Sequence, residues 1–127
     1  MSKLHRWHVG GRIGNGQQYL PWIHIDDAVA GIIHLVENAE CRGTYNLCSP
    51  NPCRQEEMNM TLSQVLDKIN PLTIPRFAIK IVYGSRSELV LSSQRGSPER
   101  LIKTGFIFKH PDLLDAISCE LKPKNAD

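Results

Sequence analysis

The chain has 127 residues, 41% of them hydrophobic, which is enough to fold as one globular domain around a real core, so disorder is excluded as the default. Its 15 basic and 13 acidic residues are interspersed and leave a net charge of +2, which gives no nucleic-acid or membrane footprint. No stretch approaches the roughly 18 consecutive apolar residues of a membrane span, and Met1 to Val9 lacks the apolar core of a signal peptide, so the expected setting is soluble and intracellular, most simply the cytoplasm. Cys41, Cys48, Cys53 and Cys119 show no CxxC spacing, and reduced thiols are preferred over a two-disulfide extracellular protein.

Residues 1–9 carry His5 and His8 around Trp7, a pair that could bind zinc with a cysteine but has no third ligand at suitable spacing. Gly10, Gly11, Gly14 and Gly16 then make a polar loop, and Trp22-Ile23-His24-Ile25 reads as a short extended run between Pro21 and two aspartates. Asp26 or Asp27 is expected to cap a helix over about 27–38. Its apolar residues Val29, Ile32, Ile33 and Val36 recur at i, i+3, i+4 and i+7, the signature of one buried face.

Thr44 to Cys48 reads as a strand closed by the turn cluster Ser49-Pro50-Asn51-Pro52. A second helix is expected over about 54–69, with Met58, Leu62, Val65, Leu66 and Ile69 on its apolar side, until Asn70-Pro71 stops it. Leu72 to Ile74 is a brief extended piece. Pro75 suits the first position of a third helix with Phe77, Ile81 and Val82 apolar, and Glu88 to Leu91 reads as a helical continuation. Ser97 as N-cap and Pro98 at N1 open a short helix ended by Gly105. Phe106-Ile107-Phe108 reads as a strand, and His110-Pro111-Asp112 opens a last helix with Leu113, Leu114, Ile117 and Leu121 on its core side.

The glycine loop invites a nucleotide-binding reading, but Gly11-x-x-Gly14-x-Gly16 lacks the Gly-x-Gly-x-x-Gly order and is followed by Tyr19-Leu20-Pro21-Trp22, which cannot open a helix over a pyrophosphate. There is no Walker loop. His24 and Asp27 could form a pair for general acid–base work, although packing and helix capping explain both residues equally. No serine or cysteine sits in a hydrolase motif.

One stretch, Pro21-Trp22-Ile23-His24-Ile25-Asp26-Asp27-Ala28-Val29 behind the glycine loop, resembles the later half of extended short-chain dehydrogenase/reductase proteins, and more narrowly epimerase-family proteins labelled nucleoside-diphosphate-sugar epimerases or cell-division inhibitors. Gly43-Thr44-Tyr45-Asn46-Leu47, Ser49-Pro50-Asn51-Pro52, Pro75-Arg76-Phe77-Ala78, Leu89 to Gln94, Pro98 and Gly105 to Leu113 extend the resemblance in the same order over about 9–121. It implies an α/β family of Rossmann type, of which this chain is the mixed, helix-rich C-terminal portion with short strands. Residues 1–73 belong to the substrate side of the NAD(P)-binding fold, 74–121 to a small C-terminal module, and 122–127 to a tail.

The resemblance also implies NAD or NADP for the intact family protein and a catalytic Tyr-x-x-x-Lys. Tyr19, Tyr45 and Tyr83 are followed four residues later by Ile23, Ser49 and Ser87, so no cofactor and no catalytic residue are expected of this chain alone. Arg12, Gln17, Trp22 and His24 are the expected substrate-side residues, with Asp26 and Asp27 structural. Sugar-nucleotide epimerases carry Arg-Asp where this chain has Leu20-Pro21, and leucine makes no bidentate phosphate contact, which argues against a UDP-sugar unless Arg12 substitutes. The expected partners are an unidentified small-molecule substrate and either a second copy or a full-length relative. The alternative function is a non-catalytic interaction module.

Overall fold

The computed structural model describes residues 12–67, 73–88 and 92–121, and of Arg12 the backbone alone. His5, His8, Gly10, Gly11, the expected helix end at Ile69, Leu89 to Leu91 and the tail lie outside the described residues. In chain order the elements are β1 (Arg12–Ile13), β2 (Tyr19–Leu20), α1 (Ile25–Glu37), β3 (Cys53–Arg54), α2 (Gln55–Val65), β4 (Thr73–Ile74), α3 (Arg76–Tyr83), α4 (Glu99–Lys103) and α5 (Leu113–Leu121). β1 pairs in parallel with β4, and β2 pairs antiparallel with β3. The described chain is thus helix-rich with two short ladders, as the resemblance implies.

The glycine loop turns between β1 and β2 with Gly14 and Gly16 at φ 59° and 68°, the left-handed region that a β-carbon resists. At Gly14 a β-carbon would also stand 2.9 Å from Arg76 Cγ. The loop then closes on its neighbours: Gly14 N–H donates to Ile74 O, Ile13 N–H to the Gln55 side chain, and the amides of Gln55 and Glu56 donate to Gln18 O and Gly16 O. The first donors of α2 are therefore consumed by the loop, and Glu57 accepts from Arg54 N–H at 2.7 Å to finish the turn.

α1 departs from expectation at both its cap and its faces. Its N-cap is His24, whose Nδ1 accepts from Asp26 N–H at 3.1 Å, so neither Asp26 nor Asp27 caps the helix. Asp27 is 1% exposed and reaches across the fold, where its two carboxylate oxygens accept from Lys109 N–H at 2.7 Å and His110 N–H at 2.8 Å. A carboxylate taken from water needs such donors, and two backbone amides supply them.

The buried face of α1 is built on Asp27 and Gly31. A β-carbon at Gly31 would meet Leu47 Cδ2 at 3.0 Å, with Leu101 and Phe106 behind it, so close approach of the 43–48 and 101–106 segments requires glycine. The residues expected to be buried face outward instead: Val29, Ile32, Ile33 and Val36 are exposed by 48 to 79%. Periodicity identified an apolar stripe correctly, but the described residues do not cover it.

α3 shows the same reversal, with Phe77, Ile81 and Val82 exposed and Ile79 buried. Pro75 is its N-cap where N1 was expected, and Pro98 likewise caps α4 in place of Ser97, one-residue shifts within the ordinary variability of helix ends. Gly105 adopts φ 88°, the left-handed position that the sequence assigned to it. α2 and α5 pack on each other, and α5 begins after Asp112, whose carbonyl accepts from Ala116 N–H.

Three expected strands have no ladder. Trp22 to His24 is extended, and Trp22 O accepts from Ser49 N–H before the chain enters α1 at Ile25. Along Thr44 to Cys48, side chains replace the ladder: the Arg100 guanidinium donates to Thr44 O and Arg42 O and lies over the Tyr45 ring, while Asn46 donates to Ser97 O. In Phe106 to Phe108 the alternation survives, with Phe106 buried and Ile107 87% exposed, but the chain turns at once into the amides held by Asp27. No helix among the described residues is long and apolar enough to cross a membrane.

Candidate functional site

Trp22 and His24 come to one groove of about 530 Å³ between the start of α1, α2 and α5, with Met58, Leu62, Ile117 and Glu120 on its other walls. The extended run at 22–24 places them there because Trp22 is pinned at both ends, its carbonyl accepting from Ser49 N–H and its Nε1–H donating to Asn51 O at 2.8 Å. The indole thus offers an apolar face with its one polar atom already satisfied. Such a surface, with a single imidazole and carboxylate converging on it, suits a mostly apolar small molecule.

His24 is 5% exposed, and the residues about it come from far along the chain. Its ring stands 4.0 Å from that of His110, Glu120 Oε1 is 3.5 Å from its Nε2, and Asp26 Oδ2 is 3.8 Å from its Nδ1. The acid–base pairing considered for His24 and Asp27 is not formed, since both Asp27 oxygens are engaged by Lys109 and His110 amides. His110 and Glu120 were not anticipated. His110 lies in a segment that reads simply as a helix opening, and only the tertiary link through Asp27 carries it to His24.

Gln17 is not among the residues lining the groove. It is exposed and tied to α2, donating to Glu56 Oε2 at 3.0 Å and accepting from Arg54. Of Arg12, the structure describes only its backbone in β1, in register with Thr73. The four expected substrate-side residues therefore divide: Trp22 and His24 share the groove, and Gln17 stands apart from it.

The cysteines among these residues are free thiols. Burial pushes the Cys48 thiol up, and burial together with the Glu57 carboxylate pushes Cys53 from 9.0 up to about 11. The folded state thus holds the Cys53 proton more tightly than the unfolded one, a contribution complete below pH 9 and lost as pH rises toward about 11. Alkylation near pH 8 is expected to label exposed Cys119 well before Cys53, which should react only when the chain is unfolded, and peptide mapping of a labelling time course reads this directly.

Residues 74–118 match a domain of unknown function, DUF1731. An epimerase family protein of Staphylococcus aureus is 34% identical over 122 residues, covering 96% of this chain and 41% of the relative, and one of Staphylococcus epidermidis matches over the same shares at 34%. Human epimerase family protein SDR39U1, crystallised with NADPH, superposes with a TM-score of 0.86 at 29% identity, over 91% of this chain and 40% of that one. The chain is similar to the C-terminal portion of epimerase-family proteins. A nucleoside-diphosphate sugar epimerase from Corynebacterium glutamicum is similar over 94% of the chain and 22% of its own length, with a TM-score of 0.69 at 28% identity. The chain spans about 40% of the length of the curated relatives it matches.

Proposed function

We propose that this epimerase-family portion is the substrate side of an NAD(P)-dependent oxidoreductase or epimerase, and that it acts only when a cofactor-holding portion covers α1. The supporting observation is the outward apolar stripe of Val29, Ile32, Ile33 and Val36, a surface of the kind that marks an unmade interface. The relatives' additional length and the NADPH of the human neighbour supply what such a cover would bring.

The residues present do not fit the dinucleotide by themselves. The first amides of α2 are spent on Gly16 O and Gln18 O, and α1 opens with Asp26 and Asp27, whose charge opposes a phosphate. In this reading Trp22 and His24 face the substrate, with Gln17 stiffening the loop beside it. A non-catalytic role in self-association rests on the same stripe and is the second reading.

Titration of the chain with NADPH, followed by nicotinamide fluorescence, is expected to give no saturable change. Micromolar binding by the isolated chain would mean a complete cofactor site within it and would overturn the proposal.

A further inference from the structure

We propose that His24, His110 and Cys119 form a metal site that takes a zinc-class divalent cation where the start of α1, the 109–112 segment and α5 meet. One ring nitrogen of each histidine and the Cys119 sulfur lie within 4.8 Å of one another. The His24 and His110 side chains are 3% and 13% exposed, and the Nε2 atom of each is buried with no hydrogen-bond partner among the described residues. Two adjacent buried imidazole nitrogens left unpaired are an unfavourable arrangement that a shared ligand relieves.

The charges facing the cluster favour a cation. Glu120 Oε1 is 3.5 Å from His24 Nε2, Asp26 Oδ2 is 3.5 Å from His110 Nε2, and Lys109, whose side chain is 73% exposed, stands 4.0 Å from Asp26. Zinc holds nitrogen at roughly 2.0 Å and sulfur at about 2.3 Å, so its donors stand about 3.5 Å apart. Closing the cluster to that spacing falls mainly to Cys119, which is exposed and sits on the surface of α5. Glu120 or water supplies the fourth position. Two imidazoles and a thiolate select zinc or cobalt over magnesium or calcium, which prefer oxygen.

The protons balance simply. His24 Nδ1 now accepts from Asp26 N–H, so the neutral ring carries its proton on Nε2. On loading, Nε2 gives its lone pair to the metal and the proton moves to Nδ1, which breaks the Asp26 N–H bond to Nδ1 and leaves the Asp26 carboxylate, 3.8 Å away, as the acceptor of the new Nδ1–H. Cys119 releases its thiol proton to solvent, one proton per ion bound. The site shares His24 with the groove proposed to face the substrate, but metal binding is read with neither cofactor nor substrate present and is tested apart from that reading.

Cobalt(II) titration of the full chain tests it. The expected result is one ion per chain, with the intense visible bands of a four-coordinate site and a thiolate-to-cobalt charge-transfer band, all displaced by zinc. Cys119→Ser, at an exposed position that leaves the fold intact by circular dichroism, should abolish the charge-transfer band and weaken binding at least about tenfold. His110→Gln should remove the four-coordinate spectrum. Absence of binding, an octahedral spectrum, or a charge-transfer band that survives Cys119→Ser would each overturn the proposal.

Discussion

Replacing Asp27 with alanine is expected to lower the stability of the chain by about 3–5 kcal/mol, because two buried amides lose a charged acceptor and net contributions of hydrogen bonds to charged groups run to roughly 1.5–3 kcal/mol each. The carboxylate is 1% exposed and its bonds to Lys109 and His110 amides measure 2.7 and 2.8 Å, so water cannot readily take its place. These bonds join residues 82 and 83 positions apart and fix the 109–112 segment against α1, which in turn sets His110 over His24. Asp27→Asn keeps one acceptor but turns an amide N–H toward the other donor, so it should recover only part of the loss. Urea unfolding of the three proteins compares them, and a loss below about 1 kcal/mol for Asp27→Ala would show that the bridge is dispensable.

The second large effect concerns the outward face of α1. Ile33→Asp combined with Val36→Asp should leave stability nearly unchanged, since both side chains are already 50% and 79% exposed and surface substitutions usually stay within about 0.5 kcal/mol. Association through that face should instead weaken by at least about tenfold for each aspartate, because an unpaired charge placed in an apolar contact costs more than the roughly 1.4 kcal/mol that a factor of ten represents. Light scattering over a concentration series separates the two effects. A wild-type chain that stays monomeric at high concentration, and a variant indistinguishable from it, would remove self-association as a reading of the stripe.

Local chemistry was legible in the sequence where it is decided locally. The apolar spacing of Met58, Leu62 and Val65 marked α2, Gly105 marked the end of α4, and the proline cluster after Cys48 marked a turn. The order of family-like segments located the chain within its family without any structure. Positions decided by distant residues were not legible. Asp27 looks like a helix cap because capping is the common role for an aspartate before an apolar run, yet its partners lie beyond residue 108. The stripe on α1 carried the right period and the wrong inference, since periodicity reports that a face is apolar and not whether this portion of the chain covers it. Thr44 to Cys48 has strand composition, but Arg100 and Asn46 satisfy polar groups that a ladder would otherwise have used.

Within the candidate site the same division holds. Trp22 and His24 sit together in an unusual local run, and both line the groove. Gln17 belonged to the same run but is drawn away by Arg54 and Glu56 of the β3–α2 junction. Cys119 and His110 lie far from His24 along the chain, and no local pattern connects them.

The most direct measurement is co-expression of this chain with the portion of human SDR39U1 that it does not match, followed by NADPH titration of the purified material. If α1 is the seat for that portion, the two should co-purify as a one-to-one complex that binds NADPH, and the Ile33→Asp, Val36→Asp variant should fail to assemble. Two portions that stay apart, or a complex that forms equally well with the doubly substituted α1, would contradict it.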